Sequence, residues 1–189
     1  MLKRPIWLLV AAAAAITALT VILSAPADAQ VSPDVNLRKI IVNSEPVSSE
    51  SALIGDADRI AYGWFDSADQ ELDTGQTAGS GKLVNFTQTF HVMRPLKGQS
   101  SQLIRVLSTG VEPLPDAKDP INNTYPGPLA EGTYVCFLKK LPRLDVYTII
   151  GGWQGVYPMN DGKTIALEGK GFPQLGGLTV DQLAARVRP

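Results

Sequence analysis

The chain has 189 residues, 44% of them hydrophobic, and its 17 basic and 18 acidic side chains give a net charge of −1. That balance, without a basic run, leaves no electrostatic footprint for nucleic acid or for an anionic membrane surface. The only cysteine is Cys136 and the only histidine is His91, which excludes an internal disulfide and the usual zinc sites.

The first residues predict export. Lys3 and Arg4 precede an apolar run from Ile6 to Leu23, and Ala27-Asp28-Ala29 offers small residues to a signal peptidase. Residues 1–29 are therefore read as a signal peptide cleaved after Ala29. The rival is an uncleaved anchor, since the run is near the lower length limit for a spanning helix. Cleavage leaves Gln30–Pro189 as a single domain of 160 residues with a net charge of −2, enough for one packed core.

Gln30 to Glu45 is expected to be a loosely attached leading segment, with Val35 to Val42 a candidate edge strand. Ser48 to Ile54 predicts a short helix capped by Ser48 or Ser49, with Glu50 suited to its positive end. Arg59 to Phe65 is a strand, in which Gly63 marks a bulge or a close approach. Asp66 to Lys82 is polar and is expected to be a long mobile loop.

Val84 to Val92 has period-two patterning. Val84, Phe86, Phe90 and Val92 make an apolar face, and Asn85, Thr87, Thr89 and His91 a polar face expected to meet water. Gln88 is the exception on the apolar parity. Pro95 is expected to end strand pairing and Gly98 to supply the turn, with Leu103 to Leu107 as the partner strand.

Thr109 to Gly132 contains Pro113, Pro115, Pro120, Pro126 and Pro128, which argues against regular structure. A loop that long inside a compact domain is usually functional or disordered. Thr133 to Leu141 and Val146 to Ile150 read as a hairpin turned at Pro142–Asp145. Gly151-Gly152 breaks the pattern. Asp161-Gly162 between two further β-runs is a strong hairpin signal. Gly169 to Gly177 is a Gly-rich connector. Leu178 to Val187 is a terminal helix, with Thr179 and Gln182 as a capping box and Val180, Leu183, Ala184 and Val187 as its apolar stripe.

These elements predict a mainly β fold: a small antiparallel barrel with a short N-terminal helix and a C-terminal helix. Ala57-Asp58 runs into Arg59-Ile60-Ala61-Tyr62-Gly63. A long strand ends at Arg94-Pro95-Leu96-Lys97-Gly98, Ile104-Arg105-Val106 follows, and later comes Glu131-Gly132-Thr133-Tyr134-Val135-Cys136-Phe137-Leu138. This order resembles exported bacterial domains with a netrin-like OB-type barrel, the fold class that includes tissue metalloproteinase inhibitors. The resemblance covers about Ala52 to Leu138 and implies a fold. In those inhibitors an N-terminal cysteine does the inhibiting and disulfides hold the domain. Here the expected mature end is Gln30 and Cys136 stands alone, so that mechanism does not carry over.

Catalytic signatures are missing. Gly79-Ser80-Gly81-Lys82 fails as a phosphate loop, because Gln76 and Leu83 stand where a glycine and a hydroxyl are required. Ser-x-x-Lys and Gly-x-Ser-x-Gly do not occur. Cys136, inside Tyr134–Leu138, reads as a buried small hydrophobe. The carboxylate pairs Asp56/Asp58, Asp66/Asp69 and Asp116/Asp119 do not form a calcium loop and read as solvated loop charges.

The aromatic residues on Gly- and Pro-rich segments carry more weight. Tyr125, Trp153 and Tyr157 are the candidate ligand-binding residues, because aromatics on loops stack on sugars or dock peptides. Burial preferences favour a core-filling role for Trp153 and Tyr157 instead. The expectation is a non-enzymatic exported binding module for a protein or cell-envelope ligand, without cofactor or metal. The rival is an envelope hydrolase using two carboxylates. OB-type nucleic-acid binding is disfavoured by charge and compartment.

Overall fold

Within the compact unit spanning Ser32–Pro189, the computed structural model describes residues 37–99 and 101–188. The expected signal peptide lies outside the described residues.

Among the described residues eight strands succeed one another in chain order: β1 (Arg59–Phe65), β2 (Gln70–Ala78), β3 (Gly81–Lys97), β4 (Leu103–Glu112), β5 (Gly132–Lys140), β6 (Tyr147–Ile149), β7 (Val156–Asn160) and β8 (Lys163–Thr164). Five of them close a barrel in the order β1-β3-β4-β6-β5 and back to β1. Every barrel pairing is antiparallel except β4 with β6, which is parallel at Val106 and Tyr147. This is an OB-like barrel. Among the described residues three α-helices accompany it: α1 (Glu50–Asp56), the four-residue α2 (Ile121–Thr124) and α3 (Val180–Arg186).

β3 and β4 are the spine. They pair in unbroken register from Lys82 opposite Glu112 to His91 opposite Leu103. β3 is long enough to take two neighbours along its other edge, β2 against its first half and β1 against its second. It runs through Pro95 rather than stopping there. Beyond His91 the β4 ladder has ended, so β3 needs partners on one side only and the missing N–H is tolerated. Gly63 is tied to both expected features. The register shifts between Tyr62 and Gly63, and a Cβ at Gly63 would lie 2.1 Å from the His91 carbonyl oxygen.

β1 and β5 are buried on both faces over much of their length, with Trp64 of β1 exposed. On the inner face Ala61 and Phe65 meet Phe90, Ile104, Val106, Cys136, Leu138 and Tyr147 in the barrel core. On the outer face Ile60, Val135 and Phe137 meet Leu53 of α1 and Leu183 of α3. Each buried Val, Leu, Ile or Phe among them contributes about 1.5–3 kcal/mol, which is how a chain without a disulfide holds this shape. Ser49 caps α1 by accepting from Ala52 N at 3.1 Å. Thr179 and Gln182 form the expected capping box of α3. The Asp161-Gly162 hairpin is present, with φ of 49° and 73° at its two central residues.

The loop expected over Asp66–Lys82 is largely a strand. β2 pairs Gln70 with Thr87 and Ala78 with Gly81, and Gly79-Ser80 is its two-residue turn. Its polar composition reflects an edge strand with most side chains exposed rather than a loop. The irregular stretch expected from Thr109 begins only after Glu112 and contains α2.

In its described part the leading segment is likewise neither loose nor a strand. Leu37–Lys39 is a 3-10 turn, and side chains pin the residues beyond it. Asn85 Nδ2 donates to Leu37 O at 2.7 Å and to Ile40 O at 2.6 Å. Val42 N donates to Thr109 Oγ1 at 2.9 Å, and that hydroxyl donates to Asn85 Oδ1 at 2.6 Å. Farther on, Gln154 takes both the N–H and the C=O of Val47. The polar face of β3 is dry at Asn85 and Thr87, both fully buried; at Asn85 it holds a strap instead of water.

Candidate functional site

The Pro-rich connection between β4 and β5 is folded back over one end of the barrel. Asp116 Oδ1 accepts from Lys118 N and Asp119 Oδ1 accepts from Ile121 N, each at 2.9 Å. These two short side-chain turns start α2, which Tyr125 ends by donating its N–H to Ile121 O at 2.9 Å. The chain then returns to the barrel wall. Gly127 N donates to Thr109 O at 3.0 Å. Gly110 permits that approach, since a Cβ there would sit 2.9 Å from Gly127 Cα and 3.0 Å from the Phe86 ring.

The far end of the loop is held by Gln88, the residue out of step with the apolar parity of β3. Its Nε2 donates to Leu129 O at 2.9 Å and to Asp66 O at 3.1 Å, and its Oε1 accepts from Leu129 N at 2.8 Å. A buried carboxamide with all these partners is satisfied and rigid. The polar anomaly in the strand is thus the anchor of the loop.

Between loop and barrel wall lies a groove of about 680 Å³. Pro113, Leu114, Pro126 and Pro128 form much of its lining, with Phe86 and Tyr125 as its aromatic members and Lys82, Glu112 and Asn122 supplying charge and polarity. Leu114 is 88% exposed, an apolar side chain of that size standing open beside an apolar groove.

The three aromatic residues singled out from the sequence part company here. Tyr125 is half-buried and lines the groove. Trp153 is half-buried behind the loop, in a 3-10 turn (Gly152–Gly155), and donates Nε1–H to Asn122 O at 2.8 Å. It lines a second, smaller cavity of about 20 Å³ that shares Pro126 and Gly127 with the groove. Trp153 and Tyr125 are therefore both tied to α2. Tyr157 is elsewhere: it is fully buried in the cluster beneath α1 and α3, edge-on to Phe137, and its hydroxyl accepts from Phe172 N at 3.0 Å. Burial pushes that phenol up to about 12. Tyr157 supports the core and offers no surface.

The groups searched for catalysis have structural partners. Cys136 is fully buried in the barrel core, and burial pushes its thiol well above the ordinary range, so it is a poor thiolate. His91 is not simply solvated. Its Nε2 lies 2.7 Å from Asp66 Oδ2, and its ring stacks on Trp64 with centroids 3.9 Å apart and planes 7° from parallel. Asp69 accepts from Thr89, and Asp58 from Lys140 N. Among the described residues no group of three or more His, Cys, Asp or Glu side chains is placed to hold a metal.

No protein-family model, curated protein or solved structure matches this chain.

Proposed function

We propose that this protein is an exported, netrin-like binding module that takes a protein or cell-envelope ligand into the groove under the Pro-rich loop. One observation carries the reading. An open apolar groove with an aromatic wall is roofed by a segment tied to the spine strands by the buried Gln88 side chain and by the Thr109 backbone carbonyl. A preorganised site loses less conformational entropy when it binds. Leu114 and Tyr125 are the anchors of the docking surface, and Trp153 supports α2 from behind.

The carboxylate-hydrolase alternative has no comparable support, since Asp58, Asp66, Asp69, Asp116 and Asp119 are engaged in turns and strand contacts. The test is partner capture by the purified protein from native envelope extract. Tyr125→Ala and Leu114→Ser should abolish capture, and Asp66→Asn and Asp116→Asn should retain it. Product release from envelope polysaccharide or peptide that one carboxylate substitution abolishes would overturn the proposal.

A further inference from the structure

We propose that the outer barrel face around His91 is the surface through which this protein pairs with a second copy of itself. It shares no residue with the groove, so each reading can fail without the other.

Side chains of directly opposed strand residues share one face of a sheet. Trp64 opposes His91, and His91 opposes Leu103. The three therefore form a row across β1, β3 and β4 on the outside of the barrel, with the His91 ring stacked on the indole at its centre. Trp64 is 39% exposed and Leu103 57%. Met93, 60% exposed, follows on β3 at the register shift, where it has no opposing residue on β1. A tryptophan, a leucine and a methionine standing open together on a rigid sheet have the composition of an interface core rather than of scattered surface exposure.

Charge identifies the partner. The next row on the same face is centred on Thr89, whose register partner on β4 is Arg105. Towards β1 and β2 lie two carboxylates: Asp66 with Oδ2 at 2.7 Å from His91 Nε2, and Asp69 accepting from the Thr89 hydroxyl at 2.8 Å. Towards β4 lies Arg105, which gives one N–H to Gln70 at 2.9 Å and has four more to offer. Asp145 stands near Arg105, but Lys140 meets its charge at 3.2 Å. The face is thus acidic on one side of β3 and basic on the other. A two-fold axis running along β3 above His91 exchanges the two sides. It sets Trp64 of each copy over Leu103 of the other, and Arg105 of each over Asp66 and Asp69 of the other, while Met93 meets its own counterpart near the axis. The hollow of about 580 Å³ between Asp69 and Arg105 leaves room for the incoming guanidinium. Apolar meets apolar and cation meets carboxylate, each of them twice, which is the condition for an isologous interface.

The test is sedimentation equilibrium of the purified protein, with circular dichroism to confirm that each variant is folded. Wild type should show a monomer–dimer equilibrium with a Kd below about 100 µM. Leu103→Asp should weaken it by about tenfold or more, and Tyr125→Ala should leave it unchanged. Arg105→Glu and Asp69→Arg each set like charges opposite one another, so each variant alone should be monomeric. Mixed in equal amounts, the two should pair with each other, because both charge contacts are then restored with reversed sign. The proposal is overturned if wild type stays monomeric up to about 300 µM, if the dimer survives both Leu103→Asp and Arg105→Glu, or if the mixed variants stay monomeric while wild type dimerises. A different protein captured from native envelope by a photoreactive residue at position 64, with no crosslink between copies, also overturns it.

Discussion

Gln88 grips Leu129 by both of its backbone polar atoms, accepting from the N–H at 2.8 Å and donating to the C=O at 2.9 Å. One side chain thus does what a neighbouring strand would do, at a point where the Pro-rich loop has no strand beside it. Replacing it with leucine keeps the apolar parity of β3 and strands both Leu129 groups and the Asp66 carbonyl. Each buried orphan costs about 1–3 kcal/mol. Gln88→Leu should therefore lose about 3 kcal/mol in urea unfolding, and protease should cut first between residues 113 and 128.

Asn85 does the same for the N-terminal strap. Its carboxamide bonds Leu37 O, Ile40 O and the Thr109 hydroxyl. Asn85→Leu should cost about 2 kcal/mol, since the strap carbonyls turn to water once released. Hydrogen exchange should rise at Ile40–Val42 and stay slow in β5.

Thr87 points the other way. Its hydroxyl is buried and has no hydrogen-bond partner. Thr87→Val removes an unsatisfied polar atom and nearly keeps the shape, so stability should rise by about 1 kcal/mol. A thermal scan should show a midpoint higher by about 2–4 °C.

The α1–α3 contact makes stability depend on acid. The hydrogen bonds from Arg186, and secondarily its charge, hold Glu50 below its ordinary value of 4.5 against an opposing upward push from burial. A carboxyl lowered by folding stabilises the fold above its unfolded pKa, and that contribution is lost as pH falls through the folded one. Wild type should lose stability on acidification below about pH 4.5. Glu50→Gln should start less stable at neutral pH and show a shallower acid slope in denaturant midpoints.

Period two is legible in the first part of β3, where one face is apolar. β1 and β5 are legible as runs of β-branched and aromatic residues instead. The Asp161-Gly162 turn and the Thr179/Gln182 cap are local chemistry and are equally legible. β2 is not, because an edge strand with most side chains in water has no apolar face to display. Nor is the strap. Its anchor on β3 lies 45 and 48 positions away, and its own bonding atoms are backbone. Asn85 and Thr87 fall on the polar parity and so resemble solvent-facing residues. Only the structure shows what covers Asn85. For the groove, the Pro-rich run and Tyr125 stand out in the sequence. Gln88 is a visible anomaly whose partner, Leu129, depends on tertiary structure. Trp64 gives no local signal, since exposure of a tryptophan inside a strongly β-forming run depends on which face the barrel buries.

The most direct test of the groove is photo-crosslinking in the native envelope, with the photoreactive residue placed at position 114 and, as a control, at the exposed Ile165 outside the groove. A discrete crosslinked species from position 114, absent from position 165 and lost on Tyr125→Ala, is the result predicted. Identical patterns from both positions, or a position-114 product indifferent to Tyr125, would contradict a binding site under the Pro-rich loop.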